Sequence, residues 1–208
     1  MLRAYKYRIY PSREQAEYLS KCFGCCRFIY NRTLDYMSMM WCGSGVSVSR
    51  LSAQAQIPSL KECYPWLSEV NAQSLQYTVK QVEQGYKNFF EKRAKHPVPK
   101  NKRSRQSFHN PQHCSIDWKH STISIPKCKG IKAVLHRAFY GLIKDVTISR
   151  NSDGSYYASV LVDTAIKEIA PEAIDPATTI GIDTGVHTFA VCSDGKTVAS
   201  QSFNVKAE

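Results

Sequence analysis

One apolar stripe constrains the fold of this chain more than any other feature of its sequence. Between residues 12 and 41, apolar side chains recur at intervals of three or four, which places them on one face of a single long helix. The stripe consists of Ala16, Leu19, Phe23, Cys26, Tyr30, Leu34, Met37 and Trp41. Ser12-Arg13-Glu14-Gln15 is a capping-box sequence that predicts where the helix starts. A stripe of this length must pack against other elements, so it predicts a layer of helices.

The residues before this helix predict a strand. In residues 2–10 the side chains of Tyr5, Tyr7 and Ile9 fall on one face, while basic side chains fall on the other. Pro11 ends the strand, because proline cannot continue its hydrogen bonding. The first strand therefore has one apolar face and one partly basic face.

The rest of the chain divides into a helical region and a β region. Residues 12–95 have helical periodicity, including a second long helix that Asn71 is predicted to cap. Residues 106–163 change to short β runs joined by turns, and the Asn-Ser-Asp-Gly sequence at 151–154 predicts a hairpin. We predict an α+β fold in which these strands and the first strand close a small barrel, with the helices inserted into it.

The balance of charge indicates a polyanionic partner. The chain has 28 Lys and Arg against 17 Asp and Glu, a net charge of +11. Nucleic acid is the commonest such partner, because each phosphate contact releases a condensed counterion. Residues 91–109 carry seven Lys or Arg against one acid, interleaved with proline, which is typical of an extended segment that follows a nucleic acid. The alternative is a solvated basic surface without a nucleic-acid partner.

Residues 178–205 predict three strands in a separate C-terminal region. Residues 178–182 form a β-branched run that ends at Asp183, and residues 188–192 and 197–205 would be the second and third strands. A carboxylate at the end of a buried strand points into a cleft. The alternative is an edge hairpin in which Asp183 only caps a turn.

Several of these stretches resemble the TnpB family, the OrfB-type insertion-sequence transposases that are RNA-guided RuvC-like nucleases. Residues 181–185, Gly-Ile-Asp-Thr-Gly, followed by Phe-Ala-Val at 189–191, resemble the family's first RuvC motif. Residues 24–31 resemble its G-x-x-R-F-x-Y-N segment, and residues 141–148 resemble part of its wedge barrel. Residues 96–100 resemble its F-P-x-F-K motif, with His and Pro in place of the two Phe.

The resemblance implies a division into domains. The wedge-type β-barrel would comprise residues 1–10 and 96–165, and a helical recognition lobe with a helix-turn-helix-like N-terminal region would comprise residues 11–95. Residues 166–177 would be a linker. Residues 178–208 would be the first strands of a ribonuclease H-like (RuvC) domain.

The resemblance also implies a function. The family cleaves DNA guided by RNA, so the chain would bind guide RNA and target DNA, and Asp183 would be a catalytic residue and a Mg²⁺ ligand. A two-metal centre needs about three carboxylates, and the family's later ones lie beyond residue 208, so we expect an N-terminal portion without nuclease activity of its own. The residues expected to bind nucleic acid are Arg3, Lys6, Arg8, Arg27, Asn31, Arg32, Lys100, Lys102, Arg103, Arg105 and Lys144. Alternatively, Arg27 and Asn31 form an ordinary pair on the helix surface.

Other interpretations stay open at this point. The chain could be a truncated, catalytically inactive DNA- or RNA-binding protein that acts as a repressor or competitor, or a basic module that binds an acidic protein. Cys22 and Cys25 with His109 and His113 could bind zinc, but their separation far exceeds zinc-finger spacing, so zinc is not expected. Without a signal peptide or apolar span in the sequence, we expect a cytoplasmic, nucleoid-associated prokaryotic protein with no membrane partner and no small-molecule substrate.

Overall fold

The computed structural model describes residues 1–166, 175 and 177–200. The chain divides into two units, Met1–Lys167 and Glu168–Glu208. The helices of the first unit are α1 (Arg13–Ser44), α2 (Arg50–Gln54), α3 (Ile57–Cys63) and α4 (Ala72–Phe90), with a 3₁₀ turn at Pro65–Ser68. Its strands are β1 (Leu2–Tyr10), β2 (Gln106–Asn110), β3 (Ser115–Asp117), β4 (Thr122–Ile125), β5 (Cys128–Ala133), β6 (Leu142–Arg150) and β7 (Tyr156–Asp163).

Helix α1 begins where the capping box predicts. Ser12 Oγ accepts from the backbone N–H of Gln15 at 3.3 Å, and the Gln15 side chain accepts from the Ser12 N–H at 2.9 Å. The helix ends at Gly45, which adopts the left-handed conformation (φ 66°) that favours glycine. The predicted stripe is buried from Leu19 to Met37. Trp41, its last position, is 62% exposed, because it lines an open cleft in the last turns of the helix.

The strands of the first unit form one seven-stranded antiparallel sheet in the order β2-β6-β7-β1-β5-β4-β3. The N-terminal strand β1 lies inside the sheet, paired along its whole length with β7 and near its end with β5. This confirms a mixed fold with an antiparallel sheet. The sheet ends at β2 and β3, which do not pair with each other. The predicted closure into a barrel is therefore not confirmed.

The core lies between the inner face of the sheet and the helices. Fully buried side chains on the sheet include Tyr7, Phe108, Ile131, Ile148 and Val160. Phe23 of α1 packs edge-on against Phe108 of β2, with ring centroids 5.3 Å apart. This contact joins the long helix to the end of the sheet.

Proline and a side-chain cap set the starts of two helices in the first unit. Pro58 lies in the first turn of α3, where its missing N–H costs nothing. Asn71 caps α4 as predicted, since its side-chain oxygen accepts from the N–H of Gln73 at 3.4 Å. The predicted linker at 166–177 lies mostly outside the described residues.

The second unit contains a three-stranded sheet of β8 (Ile182–Thr184), β9 (Thr188–Cys192) and β10 (Thr197–Ala199), in the order β10-β9-β8. The first strand is shorter than predicted, because pairing starts only at Ile182 opposite Cys192. Asp183 therefore lies within the strand, opposite Val191, and not beyond its end. Residues 201–205 of the predicted third strand lie outside the described residues.

None of the helices among the described residues is both long enough and apolar enough to cross a bilayer.

Candidate nucleic-acid interface

The connection between α4 and the sheet contains a fixed basic loop, which we define as residues 100–106. Asn31 of α1 holds its start: the side-chain Nδ2 donates to the carbonyl of Lys100 at 2.9 Å, and Oδ1 accepts from the Lys100 N–H at 2.8 Å. Arg27, one turn earlier, donates from Nη1 to the Gln106 side chain at 3.2 Å and so holds its end. Two side chains of α1 thus fix the loop at both ends.

Internal hydrogen bonds shape the loop between these two points. The Asn101 side-chain oxygen accepts from the N–H groups of Arg103 and Ser104 at 2.8 and 3.0 Å, which makes an Asx turn. The Gln106 Nε2 donates to the carbonyls of Lys102 and Ser104 at 3.1 and 2.7 Å. The backbone of the loop is therefore well satisfied, although most of its side chains face solvent.

The four basic side chains of the loop have two different environments. Lys102, Arg103 and Arg105 are exposed, and we call them the basic-loop cations. Lys100 is half-buried, and its ammonium lies 4.0 Å from the centre of the Tyr30 ring. Burial lowers the pKa of Lys100 below its ordinary value. The structure thus gives Lys100 a packing contact that the other three lack.

A second basic surface lies on the outer face of β1. Lys6 and Arg8 are exposed there, with the Lys6 ammonium 4.5 Å from the centre of the Tyr157 ring and the Arg8 guanidinium 5.4 Å from that of Tyr10. The Tyr10 ring is exposed and the Tyr157 ring is half-buried, so each pair presents charge beside part of an aromatic surface. The side chains alternate along the strand as the sequence predicts, because Tyr7 and Ile9 occupy the buried face.

The other residues predicted to bind nucleic acid lie apart from these two surfaces. Arg3 is exposed near the start of β1. Lys144 lies in β6 with its ammonium 3.9 Å from Asp163, an exposed ion pair that contributes little to stability. Arg32 is exposed on α1 beside a small cavity of about 100 Å³ that Ile57 and Leu60 also line. None of these three side chains lines the cleft at Arg27 and Asn31.

That cleft, of about 530 Å³, opens on the surface of α1. Arg27 and Asn31 line it, together with side chains that the sequence did not place in the site: Lys21, Phe28, Trp66 and Glu69. The rings of Phe28 and Trp66 meet edge to face, with centroids 5.0 Å apart. The sequence signal for Trp66 was its place in the aromatic run at 64–67, but nothing local showed which helix it would face.

The residues considered for zinc do not come together. Cys22 and Cys25 are buried in α1, and burial raises the pKa of Cys22 to about 12 and that of Cys25 to about 11, which disfavours the thiolate that zinc needs. His109 Nδ1 instead lies 2.8 Å from a carboxylate oxygen of Asp145, and its ring stacks on Tyr77 at 4.4 Å. Among residues 1–166, 175 and 177–200, no three His, Cys, Asp or Glu side chains group so as to hold a metal ion.

Asp183 is exposed in the three-stranded sheet. A centre with two divalent cations requires about three converging carboxylates. In the part of the chain that the structure describes, Asp183 belongs to no such group. The described residues therefore do not fit a two-metal centre on their own.

Comparisons with known proteins match the N-terminal region through a family model and most of the chain through curated relatives. A family model described as a helix-turn-helix domain, HTH_OrfB_IS605, matches residues 1–41. Within the matched stretch the structure has β1 followed by one uninterrupted helix.

Two curated relatives carry the name "Putative RNA-guided DNA endonuclease". The protein from Streptomyces pristinaespiralis is 30% identical over 205 residues, which is 95% of this chain and 50% of the relative. The protein from Escherichia coli (strain K12), InsQ, is 30% identical over 196 residues, which is 93% of this chain and 48% of the relative. The chain thus spans about half the length of these relatives. Among solved structures, the "Cryo-EM structure of CRISPR-Cas12f Ternary Complex" matches with a TM-score of 0.47 at 13% identity, covering 90% of this chain and 49% of that one.

Proposed function

Since the chain belongs to the TnpB family of OrfB-type insertion-sequence proteins, we propose that it is a nucleic-acid-binding part of a transposon-encoded RNA-guided DNA endonuclease. In this proposal it binds guide RNA and target DNA. The observation that carries the proposal is the basic loop, which Arg27 and Asn31 hold at both ends while its three cations face solvent.

The construction of the loop suits binding to phosphates. A flexible basic segment loses conformational entropy when it binds, and a segment that is already held in place loses less. Three exposed cations within four residues can contact successive phosphates and release their counterions. Phosphate contacts of this kind fix the register of the protein on a nucleic acid without reading its sequence.

We propose that the two layers of the first unit are the two domains that the family resemblance implies. In this proposal the sheet, from residues 1–10 and 96–165, is the counterpart of the wedge-type barrel, with edge strands β2 and β3 that do not pair with each other. The helices of residues 11–95 are the recognition lobe. Lys6 and Tyr157 on the outer face of the sheet offer a second contact, in which an unpaired base stacks beside a phosphate.

For Asp183 we propose the role of first divalent-metal ligand in a RuvC-like nuclease domain that begins at residue 178, with Mg²⁺ as the ion. The names of the relatives as endonucleases support this role, since such enzymes use divalent cations to stabilise charge at the cleaved phosphate. Because the described residues do not assemble a metal centre, no catalytic step is assigned to them.

Filter binding tests the proposed function. The 208-residue chain is titrated against a structured RNA hairpin and a DNA duplex of the same sequence and length, at several KCl concentrations. We expect tighter binding to the RNA, and an affinity that falls steeply as salt increases. An RNA affinity that hardly changes with salt would show that phosphate contacts do not hold the complex, and would overturn the proposal.

A further inference from the structure

Gly24 lies in the middle of the 32-residue helix α1, although glycine disfavours a helix relative to alanine. Within the part of the chain that the structure describes, no neighbouring atom requires a glycine there. Its backbone has ordinary helical geometry, and a Cβ added at Gly24 would meet no atom within 4 Å. Gly85 of α4 differs, because a Cβ there would contact Pro97 at 3.5 Å. The open space at Gly24 is therefore better explained by a bound partner than by packing within the chain.

The space above Gly24 is the cleft of about 530 Å³. Lys21, Gly24, Phe28 and Asn31 follow one another at intervals of three or four, so they share one face of α1. Because Gly24 has no side chain, it forms the floor of the cleft, with the Lys21 cation on one side and the Phe28 ring on the other. Trp66, which is 40% exposed, extends the aromatic side beyond Phe28.

The charges that line the cleft are net positive. Lys21 and Arg27 contribute two cations, and Glu69 contributes one anion, whose carboxylate lies 2.5 Å from the Lys21 ammonium. Arg27 commits one N–H to Gln106 and keeps other guanidinium donors. An anionic group in the cleft would compete with Glu69 for Lys21 and gain the remaining donors of Arg27.

We propose that the sugar-phosphate backbone of a nucleic acid seats in this cleft, closest to the helix at Gly24. A phosphate lies between Lys21 and Arg27, and the neighbouring sugar or base packs on the exposed side of Trp66. Glycine is needed because a backbone that approaches a helix this closely leaves no room for a side chain. The inference rests on the proposed function, since it names the place on α1 where the bound nucleic acid comes nearest.

Substitutions at Gly24 test this inference, because they separate stability from binding. Gly24→Ala and Gly24→Gln are compared with Gly43→Ala, a change in the same helix at a position where an added Cβ also meets nothing within 4 Å. Thermal unfolding should show Tm raised by about 2–4 °C in Gly24→Ala, as expected for removing a helical glycine. If Gly24 does not contact nucleic acid, Gly24→Ala should raise Tm and leave the affinity for nucleic acid unchanged.

Binding of the 208-residue variants is measured on the same RNA hairpin and DNA duplex. We expect affinity to fall roughly fivefold in Gly24→Ala and at least about tenfold in Gly24→Gln, which corresponds to about 1.4 kcal/mol, while Gly43→Ala binds like the wild type. A loss confined to the RNA or to the DNA identifies which backbone occupies the cleft, and equal losses show that it accepts both.

Wild-type affinity in both Gly24 variants, together with steep salt dependence, would overturn this inference and leave the proposed function intact. A wild-type chain that binds neither probe would overturn both.

Discussion

Asn31→Ala tests whether the basic loop owes its position to α1. The substitution removes two hydrogen bonds, of 2.9 and 2.8 Å, between the Asn31 side chain and the backbone of Lys100. A neutral hydrogen bond contributes about 0.5–1.5 kcal/mol net, so the pair contributes roughly 2 kcal/mol. Both bonds are partly buried, so water replaces them incompletely. We expect the free energy of unfolding to fall by about that amount.

Urea unfolding followed by circular dichroism measures this change, with an m-value that stays constant if the unfolded state is unaffected. Asn88→Ala is the matched control. Asn88 lies on α4 and accepts one exposed hydrogen bond from the Gln84 side chain at 2.9 Å. Its replacement should change the free energy by less than about 0.5 kcal/mol. Equal free energies of unfolding for Asn31→Ala and wild type would show that Asn31 does not hold the basic loop in place.

A double-mutant cycle then separates positioning from direct contact with nucleic acid. If Asn31 acts only by holding the loop, Asn31→Ala weakens RNA binding when the basic-loop cations are present. The same substitution causes little further loss of affinity once these cations are replaced by Ala. If the Asn31 amide contacts the RNA itself, the two losses add. Additive losses would contradict the positioning role derived from the structure.

Two further predictions concern nucleic-acid binding and cleavage, one concerns the pH dependence of stability, and one concerns the backbone next to β6. Replacing all three basic-loop cations by Ala should lower RNA affinity and make the plot of log K against log salt shallower by about two to three units, with Tm unchanged because the side chains are exposed. Burial lowers the pKa of Lys100, so the folded protein loses this proton at a lower pH than the unfolded chain does, and the contribution of Lys100 to stability should rise with pH from that lowered pKa up to the ordinary value of 10.5. Buried thiols such as Cys22 have raised pKa values and act in the opposite direction, so the test is the difference in free energy of unfolding between Lys100→Met and wild type, which should shift in favour of the wild type as pH increases across the alkaline range. Gly141→Ala should cost more than about 2 kcal/mol in urea unfolding, because Gly141 has a φ of 134° and an added Cβ would collide with the carbonyl oxygen of Asp163. Asp183→Ala should leave RNA affinity unchanged in filter binding, and the 208-residue chain should show no Mg²⁺-dependent cleavage of plasmid DNA, because one carboxylate cannot hold two cations.

Local signals predicted much of the secondary structure. The capping box at Ser12 and the periodic stripe set the start and the buried face of α1, because both depend on residues within a few turns of each other. The Asn-Ser-Asp-Gly turn likewise placed the β6–β7 hairpin. At the other end, the sequence predicted too long a strand before Asp183, since β-branched residues favour a strand but cannot show where its partner begins. In the structure, the Ser193 N–H donates to the Gly181 carbonyl, and the Gly181 N–H donates to the Ser193 side-chain oxygen and not to a backbone carbonyl.

Long-range arrangements were beyond the reach of the sequence. The order of the sheet, with β1 next to β7, joins residues more than 150 positions apart, as in the pairing of Leu2 with Asp163. No local pattern encodes such a partner. The same holds for the cleft on α1, where Trp66 reaches Phe28 across a turn and two short helices. The sequence supplied the residue types of the candidate site, and tertiary packing decided which of them meet.

The spacing of Arg27 and Asn31 shows how sequence and structure together explain one motif. Residues four apart on a helix face the same way, and the sequence left open whether the two side chains only form a surface pair. In the structure they reach different parts of one loop: Asn31 holds Lys100 and Arg27 holds Gln106, at the two ends of residues 100–106. Because Gln106 is also the first residue of β2, the contacts of Arg27 and Asn31 connect the long helix, the basic loop and the edge of the sheet. A loop fixed in this way presents its cations at the junction of the helical layer and the sheet, so a nucleic acid that binds there contacts both layers.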